Sequence, residues 1–413
     1  MISKKVLRIV EMPSPELRTM SIIILHRIPY QKVRYHEVID HDLHDVHYVI
    51  TNQGNDIPTN LRHKKIYVPC KDYTEEVIGE VIRNKINPDK VIALSEYNLI
   101  AAEIIRSSLS MEAKRGNERL QSVYRCRDKR QMKRSVEKAN IPIAKSIAIS
   151  SREDLNENNF DFHKFIIKPA KGASSENTRM LKTREELFLD DELISSIGNN
   201  EPYIAEEFVD GDIYHFDGLV VGGVIKFFLG SHYVGNCLDF ANGHPLGSVQ
   251  LADDHEYFDW VERCIKAVGI NNGAFHLEGV QGEHGMVFLE VGNRAGGAGV
   301  VECTERALGI NLMQEEVRLS ILGDKYRPPN IRKERKCYGW FVVPSASFNT
   351  STKSLQILKD KFPEIVSLNI NIHPDRPGSI SYAEEHNPCT GSISSDSHLR
   401  GVKVIEELFQ EVS

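Results

Sequence analysis

Long apolar runs are missing from this sequence. The two near the N-terminus, Val6 to Val10 and Ile22 to Leu25, are far shorter than a secretory h-region or a membrane span and are broken by charge. A cytoplasmic protein is expected, with no membrane partner. Cysteine is scarce and unpatterned: positions 70, 126, 237, 264, 303, 337 and 389 are an odd set with no CxxC spacing. That fits neither a disulfide framework nor a zinc ribbon and suits a reducing compartment. Positive charge is not in excess either, since 51 Lys and Arg face 58 Asp and Glu for a net charge of -7. No global basic field exists to hold nucleic acid. No low-complexity tract, internal repeat, biotinyl-acceptor motif or GxGxxG after the first strand is found.

What remains is an ordinary globular composition, 41% hydrophobic and 26% charged, over 413 residues. That length exceeds one core, so two to four subdomains sharing a cleft are expected. Residues 1–125 alternate short apolar runs, at Val6 to Val10, Val46 to Ile50, Ile66 to Val68 and Val91 to Leu94, with helical patterns at Tyr73 to Lys85 and Asn98 to Leu109. This is an α/β layer with a mostly parallel sheet. Residues 126–205 carry a basic amphipathic helix from Asp128 to Asn140, a strand from Ala144 to Ile149, a strand Phe165 to Pro169 ending in lysine, and a small-residue loop, Ala170 to Asn177. Residues 206–325 hold a hairpin through Gly222-Gly223, a helix Glu256 to Val268, and a second hairpin, Gly273 to Gln281 with Gly285 to Val291. From about Tyr326, residues 326–413 read as a closing subdomain with helices at Ser354 to Lys361 and Val402 to Glu411.

Chemistry concentrates in a few places. Glu278 and Glu290 end two adjacent strands, and two carboxylates presented from a hairpin can bridge one or two Mg²⁺ ions. Arg294, four residues on, can neutralise phosphate or a developing oxyanion. Lys168 closes the apolar strand Phe165-Ile166-Ile167, where a buried lysine needs an anion. Lys129 opens the basic helix, and two lysines from different segments can hold ATP phosphates. The loop residues Ser174, Ser175 and Asn177 suit a phosphate-covering lid, or an ordinary surface hairpin.

The order of these segments is what carries meaning. Asp128-Lys129, Ile167-Lys168-Pro169, Glu206-Glu207-Phe208-Val209-Asp210-Gly211-Asp212, His276-Leu277-Glu278-Gly279 and Glu290-Val291-Gly292-Asn293-Arg294 together resemble the ATP-grasp superfamily. The resemblance implies an α/β fold with α+β subdomains: an N-terminal Rossmann-like parallel-sheet domain, central ATP-grasp subdomains and a C-terminal closing subdomain. It also implies that Lys129 and Lys168 hold ATP phosphates, that Glu207 and Val209 meet adenine through the backbone, that Glu206 stands near the exocyclic amine and that Asp212 takes the ribose. Glu278 and Glu290 would bind two Mg²⁺, with Mn²⁺ as an alternative, and Arg294 would stabilise an acyl phosphate. Many members carry asparagine two residues after the second glutamate; here that position is Gly292, so either Asn293 reaches the metal by a shifted turn or Glu290 binds bidentately with water filling the gap.

Within the superfamily, Glu290 to Gly297 and Tyr214 to Gly218 look most like bacterial L-amino-acid ligases, which join two free amino acids into a dipeptide. A ligase of that kind takes free amino acids as its small-molecule partners, with arginine among the expected first substrates, and a homodimer is compatible with it. Gly296 and Gly297 would let the backbone approach a small α-amino carboxylate. Glu96, at the end of a strand, is the candidate for the substrate ammonium group, or a helix-start acid. His276 shares the face of Glu278 and either touches a substrate carboxylate or orients Glu278. The competing classes are a ligase acting on a carrier-bound or nucleotide-precursor acceptor, a nucleotide-binding regulator without turnover, and a bicarbonate-using carboxylase.

Overall fold

A computed structural model describes residues 18–51, 55–68, 73–83, 85–109, 116–157, 162–173, 177–197, 202–331, 336–349, 355–371, 382 and 386–412. The strand expected at Val6 to Val10 and the lid residues Ser174 and Ser175 lie outside them.

The first sheet holds β1 (Ser21–His26), β2 (Asp45–Ile50), β3 (Lys64–Tyr67) and β4 (Lys90–Ala93), in the order β3-β2-β1-β4, with β1 parallel to both neighbours. The run Ile22 to Leu25, too short for a membrane, is its central strand. Ile22 and Ile24 enter one core while Ile23 and Leu25 enter another. A strand covered on both faces reads as a continuous apolar run, which is why alternation did not reveal it.

The second sheet, antiparallel, is built from β5 (Ser146–Ile149), β6 (Phe165–Pro169), β7 (Arg179–Leu181) and β8 (Tyr203–Glu207) in the order β5-β8-β6-β7. The helix Lys129–Lys138 precedes it, begun by the Asp128 side chain, which accepts the Arg130 N–H.

Eight strands make the third sheet: β9 (Asp212–Val221), β10 (Val224–Val234), β11 (Leu246–Gln250), β12 (Asn272–Gly282), β13 (Gly285–Gly292), β14 (Cys337–Val343), β15 (Ile365–Ile370) and β16 (Cys389–Ser395). Their order is β13-β12-β9-β10-β11-β14-β16-β15. The β9–β10 turn is the expected Gly222-Gly223, with φ of 61° and 76°. Both values are left-handed, as a two-residue hairpin turn matching the sheet twist demands. The stretch after Tyr326 contributes β14, β15 and β16 to this same sheet through the β11–β14 ladder.

Alternation divides this sheet into two chemistries. Phe216, Phe275, Leu277, Phe288 and Val291 pack against helices Lys129–Lys138 and Phe258–Val268. The opposite face carries His215, Asp217, His276 and Glu278, and beside them Leu219 and Ala274 pack towards helices Val300–Leu308 and Leu312–Leu322. Among the described residues no helix is long and apolar enough to cross a membrane.

Candidate active site

The acid pair is set by strand register. Glu278 of β12 and Glu290 of β13 are Cα partners, immediately before a bulge that shifts the pairing to Gly279 with Phe288. Like charges placed directly opposite repel, so this arrangement needs cations. Lys129 supplies one: its Nζ lies 3.3 Å from Glu290 Oε2 and donates to the Gly172 carbonyl at 2.7 Å. Burial pushes the Glu290 carboxyl up, but Lys129 and Lys168 outweigh it and hold the group well below the usual carboxylate range.

Lys168, last but one in β6, is buried and reaches Glu206 Oε2 at 3.2 Å. Lys133, one turn beyond Lys129, stands 3.3 Å from the other oxygen of Glu206, and neither of those two atoms is otherwise hydrogen-bonded. Burial raises the Glu206 carboxyl, yet Lys133 and Lys168 together hold it below its ordinary value. Glu206 is thus the shared counter-ion of two buried lysines.

Arg294 leaves the end of β13 and meets Glu96, with Nε at 3.0 Å and Nη2 at 2.9 Å from Oε2. Its Nη1 donates to the Ala295 carbonyl at 2.9 Å. The other oxygen of Glu96 accepts from Arg127, whose Nη2 donates to the Lys171 carbonyl at 2.9 Å. Glu96 sits at the C-terminal end of β4, next to β1, where the strand order of the first sheet reverses and open α/β sheets bind ligands. Burial raises its carboxyl, and Arg294 and Arg127 more than reverse that shift.

Glu278 belongs to a buried polar chain. Tyr233 Oη donates to its Oε1 at 2.7 Å, and His276 Nε2 stands 3.2 Å from the same oxygen. His276 Nδ1 is 2.9 Å from Asp217 Oδ1, His215 Nδ1 is 2.6 Å from Asp217 Oδ2, and His215 Nε2 is 2.6 Å from Ser248 Oγ. Burial lowers the His276 imidazole, but Asp217 and Glu278 win and push it up to about 10. His215, Asp217 and His276 also have the make-up of a metal cluster. Their mutual hydrogen bonds already satisfy the ligand atoms that would face an ion.

The linker Glu206 to Asp212 joins the second sheet to the third. Glu207 N–H donates to Lys145 O and Phe208 N–H to Lys164 O, both at 2.9 Å, while Lys164 Nζ lies 3.5 Å from the Phe208 ring centre. Val209 follows, and Asp212 opens β9 exposed, 3.9 Å from His232 Nε2. Asn293 turns its amide towards β12, donating to the carbonyls of Ala274 at 2.9 Å and Asn272 at 3.3 Å. A Cβ on Gly292 would stand 3.4 Å from Arg294 Cγ. A Cβ on Gly296 would fall 2.5 Å from Asp217 Oδ1, whereas one on Gly297 would meet nothing within 4 Å.

Sequence reasoning did not assign Lys133, Arg127, Asp217, Tyr233 or Ser248. Asp217 carried a usable signal, being two residues from His215 and so on its face. Tyr233 and Ser248 enter only through strand register.

No family model matches the chain. An uncharacterized protein of Sinorhizobium fredii, y4rH, is 27% identical over 164 residues, which are 38% of this chain and 33% of that protein. The chain therefore matches about a third of the length of this curated relative. Solved structures align almost end to end. An L-amino acid ligase from Bacillus licheniformis superposes with a TM-score of 0.72 at 18% identity, covering 95% of this chain and 96% of that one. A carboxyaminoimidazole ribonucleotide synthase of Aspergillus clavatus, complexed with ATP, gives 0.68 at 10% identity over 96% and 100%. The N5-carboxyaminoimidazole ribonucleotide synthetase purK, as its ADP complex, gives 0.67 at 12% over 97% and 99%. The fold these structures share with the chain is the expected ATP-grasp fold. Within it, the L-amino acid ligase has the highest TM-score of these three.

Proposed function

We propose that this protein is an ATP-dependent carboxylate–amine ligase that joins two L-amino acids into a dipeptide through an aminoacyl phosphate, releasing ADP and phosphate. The observation that carries the reading is that Lys129, Lys168 and Arg294 all act on Glu290 of an acid pair locked in register, Lys129 by direct contact and the other two from their ion pairs with Glu206 and Glu96.

Lys129 and Lys168 bind the ATP phosphates, exchanging Glu290 and part of Glu206 for phosphate oxygens. The linker receives adenine on the backbone of Glu207 and Val209, and Asp212 takes the ribose hydroxyls. Glu206 acts first on the two lysines and through them on the nucleotide. Glu278 and Glu290 fit Mg²⁺, because two opposed carboxylates with one open oxygen on Glu278 form a hard, oxygen-only donor set. Two ions are expected and Mn²⁺ can replace them; Asn293, whose amide is bound to the carbonyls of Asn272 and Ala274 at the start of β12, would have to turn to become a further donor. When bound, the metal neutralises the charge of the transferring phosphate. Arg294 faces the oxygens of the acyl phosphate, and the open space at Gly297, beside Gly296, admits the α-carbon of the first amino acid; Glu96, expected at its ammonium group, instead spends both oxygens on Arg294 and Arg127 and so positions the Arg294 guanidinium.

A basic side chain, such as arginine, is assigned to the cavity of about 170 Å³ lined by Ala298, Gly299, Glu302, Asn369, Tyr382 and Thr390, in which Glu302 is the charged group; its Oε1 already holds Arg306 and Ser392, so a basic substrate competes with Arg306 for this carboxylate. ADP release over pairs of free amino acids, with mass spectrometry of the products, tests the reading. Dipeptide formation without any carrier supports it. Tight ATP binding with no ADP from any pair refutes it, and turnover only with a ribonucleotide acceptor assigns the chain to the purine-type chemistry of its other structural neighbours.

A further inference from the structure

We propose that Tyr233 and Asp217 are positioning residues that decide which oxygen of Glu278 is offered to a divalent cation. The inference rests on reading Glu278 as a metal ligand. Among the described residues both hydrogen-bonding contacts to this carboxylate fall on one atom: Tyr233 Oη at 2.7 Å and His276 Nε2 at 3.2 Å, each from Oε1. Oε1 is therefore occupied from within the sheet and Oε2 is the oxygen left to ligate. A glutamate held this way binds through a single oxygen, with its rotamer fixed before the cation arrives.

Asp217 secures that arrangement from behind. Its Oδ1 takes His276 at 2.9 Å and its Oδ2 takes His215 at 2.6 Å, and Ser248 holds the far nitrogen of His215 at 2.6 Å. The chain Ser248, His215, Asp217, His276, Glu278 crosses β11, β9 and β12 on one sheet face, and Tyr233 enters from β10 between β9 and β11. Every member is buried, and Asp217 is only 2% exposed. A buried carboxylate with both oxygens committed to imidazoles leaves little rotational freedom to the ring between it and Glu278.

The same Asp217 oxygen bounds the loop that carries Arg294. A Cβ on Gly296 would approach Oδ1 to 2.5 Å, so the main chain two residues after Arg294 lies directly on Asp217. One carboxylate thus sets two arms of the site, Glu278 through His276 and Arg294 through Gly296.

The test uses the full chain with Mn²⁺ as the probe, its binding followed by electron paramagnetic resonance in the presence of ADP, beside calorimetry of ADP without metal. Tyr233→Phe removes one hydroxyl, and the expected result is Mn²⁺ affinity weakened by about 10- to 100-fold, as for other groups that hold a metal ligand. Metal-free ADP affinity and the melting temperature should stay at wild-type values. Asp217→Asn should weaken Mn²⁺ in the same direction. Unaltered Mn²⁺ affinity in folded Tyr233→Phe overturns the proposal, as does a parallel loss of Mn²⁺ and metal-free ADP binding, which marks a merely structural role. Glu278→Gln separates the layers: if it leaves Mn²⁺ binding intact, the metal assignment itself falls. If it abolishes binding while Tyr233→Phe does nothing, only the positioning role falls.

Discussion

Glu278 and Glu290 face each other as Cα partners across the β12–β13 ladder, yet among the described residues only Glu290 is in ion-pair contact with a lysine, Lys129 at 3.3 Å. The attraction of Lys129 and Lys168 holds the Glu290 carboxyl far below its ordinary range in spite of its neighbour, so in the ligand-free protein this acid is net stabilising. Glu290→Gln should lower ligand-free stability by about 1 kcal/mol, the side chain being one-third exposed and the pair therefore short of a fully buried one. It should also abolish the rise in melting temperature that Mg²⁺ and ATP give the wild type, and cut ADP formation by about 10²-fold or more. Thermal melts with and without nucleotide read both effects. A variant as stable as wild type that still responds to Mg²⁺ and ATP refutes this account.

Glu206 should matter more to folding than either lysine it serves. Removing it leaves Lys133 and Lys168 buried side by side without an anion, and breaking a buried ion pair from one side costs about 3–5 kcal/mol. Its folded pKa is depressed below the ordinary glutamate value of 4.5, so its contribution is complete above that value and disappears as the pH falls through the lower, folded one. Urea denaturation of Glu206→Gln should show a large deficit at neutral pH that narrows on acidification. A pH-independent deficit would mean that packing, not charge, is lost.

The residues proposed for metal and phosphate could be picked out because each motif is local: a strand ending in an acid or a lysine, followed by a turn, shows in a few residues. Lys129, Lys168, Glu278, Glu290 and Arg294 come together in the fold, with the three cations all acting on Glu290, the Cα partner of Glu278. What sequence could not show is what register decides. Tyr233 of β10 reaches Glu278 of β12 across the intervening β9, and Ser248 reaches Asp217 through His215. Nor does spacing reveal that Glu206 is shared between two lysines or that Glu96 lies between Arg127 and Arg294, because those partners come from other layers. The run Ile22 to Leu25 concealed a central strand because both its faces are apolar.

Two neighbouring glycines offer a sharper contrast. Gly296→Ala drives a methyl group to 2.5 Å from Asp217 Oδ1, which neither the carboxylate nor the loop can absorb without moving Arg294. Turnover should fall by about 10²-fold, the scale of a misplacement near 1 Å. Gly297→Ala meets no protein atom within 4 Å. If that space receives the first amino acid, this variant should melt like wild type and raise the KM for the amino acid with little change in the KM for ATP. Equal effects of the two substitutions on stability and kinetics would contradict the packing described.

Glu316 gives a prediction away from the chemistry. Its Oε2 is buried without a hydrogen-bond partner on the helix Leu312–Leu322, against Gly273 of β12. Arg106 and Arg119 face it from the N-terminal helices, but both pair with Glu103, and Tyr35 adds no positive charge. Burial therefore prevails over the two arginines and pushes the Glu316 carboxyl up to about 8. The sign is the reverse of that for Glu206. Between 4.5 and about 8 the folded chain keeps a proton that the unfolded chain has lost, so this group removes stability as the pH rises through that window. Glu316→Gln keeps the shape of the protonated acid and cannot ionise. It should match wild type near the acid edge of the window and exceed it by more than about 1 kcal/mol at its alkaline edge, one pKa unit being worth about 1.4 kcal/mol. Urea midpoints measured across the window decide the matter. A constant difference between the two proteins would show that Glu316 is already ionised in the fold, compensated by a group that the Glu103 pairing leaves available.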